Sequence, residues 1–464
     1  MRGVRVISAG GTVLLAMLLV AVVPAGASPA HPASAQGGHA GRAQSAAAGP
    51  MAGLTALARA NAAGPAGAAL ALRLAVSGPP RPVSPAAAAA PNDKLNGDSC
   101  TPLDNGSPAT ANCMAVGIFQ DSATIEPLAL NWQQGSPWTG LGTVPNANTK
   151  NTVNQPSEVS CAAPGKLRPV CLMVGEHYSN AKFPAQLAEV WDGTWTKLST
   201  GNPPGSSWSA LEDVSCRTDK FCMLTGQAGT TKQTSHGTVF ISHATAYRWD
   251  GSKLTRLTVP APRGGHDAEL AGVSCPATTF CLAVGNYIRA DGKSQAYSAR
   301  WSGGTWTVQN ARNLQGQVLT LFEAVSCVSR TRCEAVGTTL TPGNRAFAEA
   351  WSSGTWQTQP SAGKPNATLF GVTCPAAGRC FAAGSLGDLS LIEAWDGTHW
   401  SAQTTPVTAA PRSGSALNHV SCTTPNLCEA VGYRFSRSSS NVTPHTLALG
   451  WDGQHWTVQP TVNQ

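Results

Sequence analysis

Residues 92–464 predict an all-β fold: a seven-bladed β-propeller with four antiparallel strands and one intrablade disulfide per blade. Three observations carry this expectation. A unit of roughly 50 residues recurs through the region. Each unit ends in a Trp-containing hairpin, and each contains two cysteines. The 48 Gly and 33 Pro in 464 residues favour many turns over long helices.

The repeat is plainest at the C-terminal end. One unit reads LFEAVSCVSRTRCEAVG and then AEAWSSGTW, from Leu321 to Trp356; the last runs from Leu417 to Trp456. The first cysteines of the units are Cys100, Cys161, Cys216, Cys275, Cys327, Cys374 and Cys422, so their spacing runs from 47 to 61 residues. Within a unit, strand a ends at V-S-C, and strand b runs from the second cysteine to a glycine. Strand c ends at Trp after alternating apolar residues, and strand d follows a D-G or S-G turn. Asp-Gly between alternating runs signals a hairpin, because both residues tolerate positive φ. Four short strands per unit match a propeller blade. A tandem of β-sandwiches would need units of about 100 residues.

The cysteines pair within units as Cys100/Cys113, Cys161/Cys171, Cys216/Cys222, Cys275/Cys281, Cys327/Cys333, Cys374/Cys380 and Cys422/Cys428. In five pairs the separation is six residues, which places the two sulfurs across the mouth of the a–b hairpin, within disulfide reach. An even count in a secreted chain points to structural bridges. A zinc site would need four ligands, and one pair supplies two. No metal and no cofactor is therefore expected.

The N-terminal region reads differently. Residues 1–27 resemble a signal peptide: Arg2 and Arg5, the apolar run from Thr12 to Val23, Pro24, and the small residues Ala25-Gly26-Ala27. The apolar run is 12 residues, shorter than the roughly 20 that a permanent span needs. Residues 28–91 are Ala, Pro and Gly with scattered Arg, and read as a disordered leader or linker, with a pro-segment as the alternative. The expected product is secreted and extracellular, with no membrane anchor. The formal charge of +7 comes almost entirely from six Arg before Asp93, leaving 25 basic against 24 acidic residues after it. The folded region therefore lacks the basic footprint of a nucleic-acid binder.

The units resemble the kelch family of propellers. Kelch blades close strand b with glycine and end strand c in an aromatic residue, often followed by Asp. They then carry Trp on strand d, as Trp395-Asp396-Gly397 with Trp400 and Trp451-Asp452-Gly453 with Trp456 do here. The chain departs from kelch in having one Gly where kelch has a pair, and in its cysteines. Cysteine-paired propeller repeats of secreted bacterial proteins are similar. The kelch resemblance also raises copper radical oxidases, whose site has a Tyr–Cys crosslink, but every cysteine here has a partner. No Asp-box of the sialidase type, nucleophile elbow, P-loop or dinucleotide fingerprint occurs.

Candidate ligand-face residues come from two places. The first is the start of strand a, which should line the ring axis and is enriched in acids: Glu158, Glu212, Asp213, Glu269 and Glu323, with His419 at the matching position of the last unit. The second is the longest b–c connection, Gln227 to Arg248, with His236, His243 and Tyr247. Varied connections on a rigid scaffold are where recognition usually resides. The favoured expectation is a monomeric, non-catalytic scaffold binding a glycan, cell-wall polymer or extracellular protein through its b–c loop face. The alternative is a polysaccharide hydrolase or lyase using the axial acids. Regular Trp placement is read as packing between blades, with sugar stacking as the alternative.

Overall fold

The structure is a computed structural model. It describes Arg5–Ser8 (β1) and Val13–Ala16 (β2), which pair antiparallel, and residues 93–462 apart from short stretches in the connections. The signal-peptide and leader readings otherwise lie outside the described residues.

Twenty-eight strands follow in consecutive groups of four. Blade 1 is β3 (Lys94–Pro102), β4 (Ala111–Asp121), β5 (Thr124–Gln133) and β6 (Thr139–Gly140). Blade 2 is β7 (Thr152–Ala162), β8 (Val170–Ser179), β9 (Ala185–Trp191) and β10 (Trp195–Lys197). Blade 3 is β11 (Trp208–Thr218), β12 (Phe221–Thr234), β13 (Gly237–Trp249) and β14 (Leu254–Leu257). Blade 4 is β15 (Gly265–Ala277), β16 (Phe280–Arg289), β17 (Ser294–Trp301) and β18 (Trp306–Gln309). Blade 5 is β19 (Leu319–Ser329), β20 (Arg332–Thr341), β21 (Gly343–Ser352) and β22 (Thr355–Gln359). Blade 6 is β23 (Ala367–Ala376), β24 (Arg379–Leu386), β25 (Leu389–Trp395) and β26 (Trp400–Ala402). Blade 7 is β27 (Ser413–Thr424), β28 (Leu427–Arg437), β29 (Val442–Trp451) and β30 (Trp456–Gln459).

Five blades are separate four-stranded sheets, and blades 4 and 5 are joined only through one parallel bridge, Ser294 to Leu319. The first strands β3, β7, β11, β15, β19, β23 and β27 contact one another in a closed circle, β27 returning to β3. The chain is a seven-bladed β-propeller.

All seven expected disulfides are present, each joining strands one and two of its own blade: Cys100–Cys113, Cys161–Cys171, Cys216–Cys222, Cys275–Cys281, Cys327–Cys333, Cys374–Cys380 and Cys422–Cys428. The paired cysteines face each other across the a–b hairpins, as their spacing predicts, and their surroundings add where those hairpins lie. The second members, Cys113, Cys171, Cys222, Cys281, Cys333, Cys380 and Cys428, are all buried, each within an apolar cluster between blades. The cause is their place on strand two, which lies inside the blade with a neighbouring sheet packed against it. The mouth is open only toward the first members, of which Cys100, Cys216, Cys327, Cys374 and Cys422 are half-buried. The bridges are thus part of the core and contribute no group to a ligand face.

Hydrophobic burial sits between blades rather than within them. Each of the seven seams holds one apolar cluster. At the closing seam Leu95, Ala115 and Trp132 of blade 1 meet Val431 and Ala448 of blade 7. Trp side chains dominate these clusters, and all but Trp191 are buried. Trp301 faces Trp306, Trp351 faces Trp356 and Trp451 faces Trp456 in register. Some reach across seams: the Trp356 indole N–H donates to Ser298 Oγ at 3.1 Å, and that of Trp400 to Gln359 Oε1 at 2.8 Å. Packing between blades accounts for the Trp pattern, and buried rings offer no face to a sugar. Trp208, outside the c–d hairpins that hold the other Trp, is the first residue of β11 and fully buried.

Two repeated residues have specific structural causes. Every first strand carries a β-bulge four residues before its cysteine, as between Leu211 and Asp213 or Leu417 and His419. The bulge drives a carbonyl toward the glycine of the second strand. A Cβ at Gly285 would fall inside contact distance of Glu269 O, and one at Gly432 would collide with Ala416 O. The serine of V-S-C bridges blades: its hydroxyl accepts the backbone N–H of the next blade's cysteine. Ser99 to Cys161, Ser160 to Cys216, Ser215 to Cys275, Ser274 to Cys327 and Ser326 to Cys374 are all 2.9–3.0 Å.

Among the described residues, blades 1 and 7 are each built from four consecutive strands, so closure rests on contacts between them. Ser421 of blade 7 takes the N–H of Cys100 at 2.9 Å, and Asn418 Nδ2 donates to Leu95 O at 2.7 Å. Trp132 Nε1 donates to Gln459 Oε1 at 3.1 Å.

Candidate functional site at the ring axis

The seven first strands bring their bulged segments to the axis at two levels. The inner level is the residue three before each cysteine: Gly97, Glu158, Asp213, Gly272, Ala324, Gly371 and His419. Three are titratable and four are small. The small ones make room, since a Cβ at Gly97 would overlap the Glu158 carboxylate and one at Gly371 would lie 2.9 Å from His419 Cα.

His419 organises this level. Its Nδ1 lies 3.0 Å from Asp98 Oδ1 and its Nε2 lies 3.7 Å from Glu158 Oε2. Burial opposes charge on the imidazole, but Glu158, Asp98 and Asp213 outweigh it and lift its pKa to about 10. It is an imidazolium at neutral pH. Burial raises Glu158 to about 8, with His419 pulling it back and Asp213 pushing it further up. Asp213 is lifted to about 6 by burial against its backbone hydrogen bonds. Its Oδ1 accepts the Val214 N–H and its Oδ2 the Val273 N–H, both at 2.6 Å. Asp213 thus ties blade 3 to blade 4, as His419 ties blade 7 to blades 1 and 2.

The outer level lies nearer the starts of the first strands, toward the b–c face. Glu212 and Glu323 occupy bulge positions and are half-buried; Glu269 and Glu176 are buried. Glu212 Oε1 accepts Gln227 Nε2 at 3.2 Å. Glu269 Oε1 accepts Asn286 Nδ2, and Glu176 Oε2 accepts the Tyr178 hydroxyl at 2.6 Å. Burial, with repulsion from Glu212 and Glu323, raises Glu269 to about 8; burial, with repulsion from Glu212, raises Glu176 to about 8. Glu269 and Glu176 are thus neutral acids at pH 7, able to donate as well as accept.

The structure therefore groups the sequence candidates into two sets, Glu158, Asp213 and His419 below, and Glu212, Glu269 and Glu323 above. It does not bring the second group of candidates to either. Tyr247 is buried in β13, and His243 is exposed on the same strand, where burial of its ring and the neighbouring Arg256 lower its pKa. His243 borders a small recess of about 130 Å³ between blades 3 and 4. His236 lies outside the described residues. The stretch Gln227 to Arg248 is not a loop: β12 and β13 pair continuously from Cys222 with Trp249 out to Thr234 with Gly237. Its β-branched residues extend the hairpin into an arm, so chain length became strand rather than irregular connection. No group of three or more His, Cys, Asp or Glu among the described residues has metal-holding geometry.

Two members of the site are not among the sequence candidates. Glu176 comes from a second strand, whereas the axial candidates all come from first strands. Asp98 stands two residues before its cysteine, one nearer than Glu158, Asp213 and His419 stand to theirs. It had a visible signal, because D-S-C replaces the Val-led triplet of the other units.

No protein-family model matches the chain, and no curated protein matches it. Solved structures do. The chain is similar to the β-propeller domain of the Trilobed protease from Pyrococcus furiosus, described as having an open velcro topology, at 8% identity over 79% of this chain and 99% of that one, with a TM-score of 0.42. It is similar to the BP39L lectin from Burkholderia pseudomallei at 12% identity, covering 79% and 98% of the two chains, TM-score 0.45. A polysaccharide lyase, the PL25 ulvan lyase, is similar at 10% identity, covering 79% and 97%, TM-score 0.45. These are likenesses of fold at low identity. Seven disulfides are the chemistry of an oxidising compartment, and no described helix is long and apolar enough to cross a membrane.

Proposed function

We propose that the protein is a secreted, non-catalytic scaffold that binds a hydroxyl-rich glycan or cell-wall polymer at the b–c mouth of the ring. The observation that carries this reading is the outer level itself. Half-buried Glu212 and Glu323 surround buried Glu269, whose neutral acid group can donate as well as accept, so the mouth mixes acceptor oxygens with a donor. Sugar hydroxyls both donate and accept, and such a mixture complements them. The projecting β12–β13 arm, with Ile241 45% exposed, stands on the same face and offers added contact area.

The test is glycan-array screening of the full chain followed by calorimetry on any hit. Glu323→Gln and Glu212→Gln should each weaken binding about tenfold, the scale of one charge-assisted hydrogen bond. Binding unchanged in both variants would overturn the reading. Binding to no glycan would move the site toward a protein partner.

The hydrolase or lyase reading draws on the separation of Glu158 (about 8) from Asp213 (about 6), a split of the kind acid–base pairs show. Against it, Asp213 spends both oxygens on backbone N–H groups and Glu158 is held by His419. Release of reducing ends or unsaturated product from a polysaccharide, abolished by Glu158→Gln, would reinstate it.

A further inference from the structure

The seam between blades 7 and 1 holds a groove of about 870 Å³ on the side opposite the b–c mouth. Trp132 and Pro137 of blade 1 and Leu427, Trp451 and Gln459 of blade 7 form its walls, and Glu429 belongs to its lining. Glu429 is 1% exposed. Its Oε1 accepts Gln459 Nε2 at 3.4 Å, while its Oε2 has no hydrogen-bond partner among the described residues. An unpaired carboxyl oxygen at such depth is costly unless something completes it.

The repeat shows the same carboxyl beside an internal cation in another blade. Glu334 of blade 5 occupies the same position, one residue after the second cysteine; its oxygens also lack a hydrogen-bond partner among the described residues, but Arg332, one residue before that cysteine, lies 3.6 Å away as an ion pair. In blade 6 the equivalent Arg379 sits over the ring of Phe381, which replaces the acid. Blade 7 keeps the acid and has Leu427 where those blades have Arg. It also has Gly450 opposite Glu429, where blade 5 sets Ala350 opposite Glu334. A Cβ at Gly450 would press on the Gln459 side chain and lie 2.9 Å from Glu429 Oε1. Among the described residues, blade 7 thus has no internal cation beside the same carboxyl, and Gly450 leaves room for the Gln459 amide there.

We infer that the groove at the seam of blades 7 and 1 binds an organic cation, a guanidinium or ammonium group carried on a small molecule or on a peptide side chain, with Glu429 as its counter-charge. Trp132 and Trp451, 3% and 6% exposed, give the groove an apolar edge for the stem of such a ligand rather than an open ring face. Electrostatics agrees with the comparison. Burial raises Glu334 and Arg332 draws it back, leaving it at about 7. Glu429, raised by burial and by Asp98 across the seam, stands well above the ordinary carboxylate range. A cation arriving at Glu429 would favour its ionised form and release its proton, as Arg332 draws Glu334 back toward ionisation in blade 5.

The test is isothermal titration of the full-length protein with agmatine, with folding of each variant checked by circular dichroism. Saturable binding at one site is expected, weakened at least tenfold by Glu429→Gln and by Leu427→Arg, which supplies the missing guanidinium from within. Leu427→Arg should also melt no lower than the parent. Absence of saturable binding up to about 10 mM, a limit near the weakest specific affinities, would overturn the inference. So would agmatine binding unchanged in folded Leu427→Arg, or in Glu429→Gln should the first variant not fold. A short peptide with one Arg, compared with its citrulline counterpart, separates the sources. Tighter binding than agmatine marks a peptide ligand, and equal binding marks a small molecule. Equal affinity for the citrulline peptide would again overturn it.

Discussion

The hydroxyl of Ser421 accepts the backbone N–H of Cys100 at 2.9 Å, joining residues 321 positions apart in the chain. The same bond crosses five of the six covalently continuous seams, and blade 6, the exception, has Thr373 in place of the serine. Each such serine occupies the middle of its blade's V-S-C or D-S-C triplet, and that triplet is a staple between blades.

Ser421→Ala should therefore lower stability by about 1 to 2 kcal/mol, the cost of leaving a part-buried N–H without its acceptor. Ser421→Thr, the residue that blade 6 carries here without such a bond, should recover only part of the loss. Urea denaturation of the three proteins, compared by midpoint at equal slope, checks this.

Stability should fall as pH rises through neutrality. Glu158, Glu176 and Glu269 have folded values near 8 against an ordinary 4.5, so the folded state holds their protons longer. His419, at about 10 against 6.5, acts in the same direction: its contribution is complete below 6.5 and lost as pH climbs toward 10. Where the native state binds more protons, raising pH favours unfolding. Asp250 and Asp396, lowered to about 2 chiefly by backbone N–H groups, act oppositely and only in acid. Urea midpoints should thus be higher at pH 5 than at pH 9. Glu269→Gln should flatten the slope between 4.5 and 8; an unchanged slope would contradict the assignment.

Glycine at the end of the second strand should be intolerant. Gly285→Ala is expected to cost about 3 kcal/mol or more, because the new methyl meets a backbone carbonyl that the bulge holds in place. Gly304→Ala, with nothing within 4 Å of its added Cβ, should stay within about 0.5 kcal/mol. Calorimetric melting of the pair distinguishes repeat architecture from a general aversion to side chains.

Removing one bridge should weaken the ring without opening it. Cys275→Ala with Cys281→Ala deletes a cross-link of separation six, which loop entropy values at about 2 kcal/mol. The double variant should keep its far-ultraviolet spectrum and melt lower. Full reduction removes seven such constraints and should prevent refolding.

The repeat, the strands and the seven sulfur bridges were legible in the chain because they depend on local rules. Period-two alternation, Asp-Gly turns and six-residue cysteine spacing each act within one hairpin, and seven copies make the signal redundant. That Cys113, Cys333 and their counterparts are core residues was not legible, because the sheet that covers them belongs to another blade. The bulge was not legible either, although its trace, the glycine of C-x-A-V-G, was; reading it needs the carbonyl that the glycine accommodates. The acids at the axis could be picked out by position but not sorted, since Glu158 and Glu212 differ in level only after the bulge turns one residue aside. Asp98, Glu176 and Glu429 take their roles from neighbours in other strands or blades. Only tertiary structure decided those, because burial and charge pairing depend on distances between segments that the chain brings together by closing into a ring.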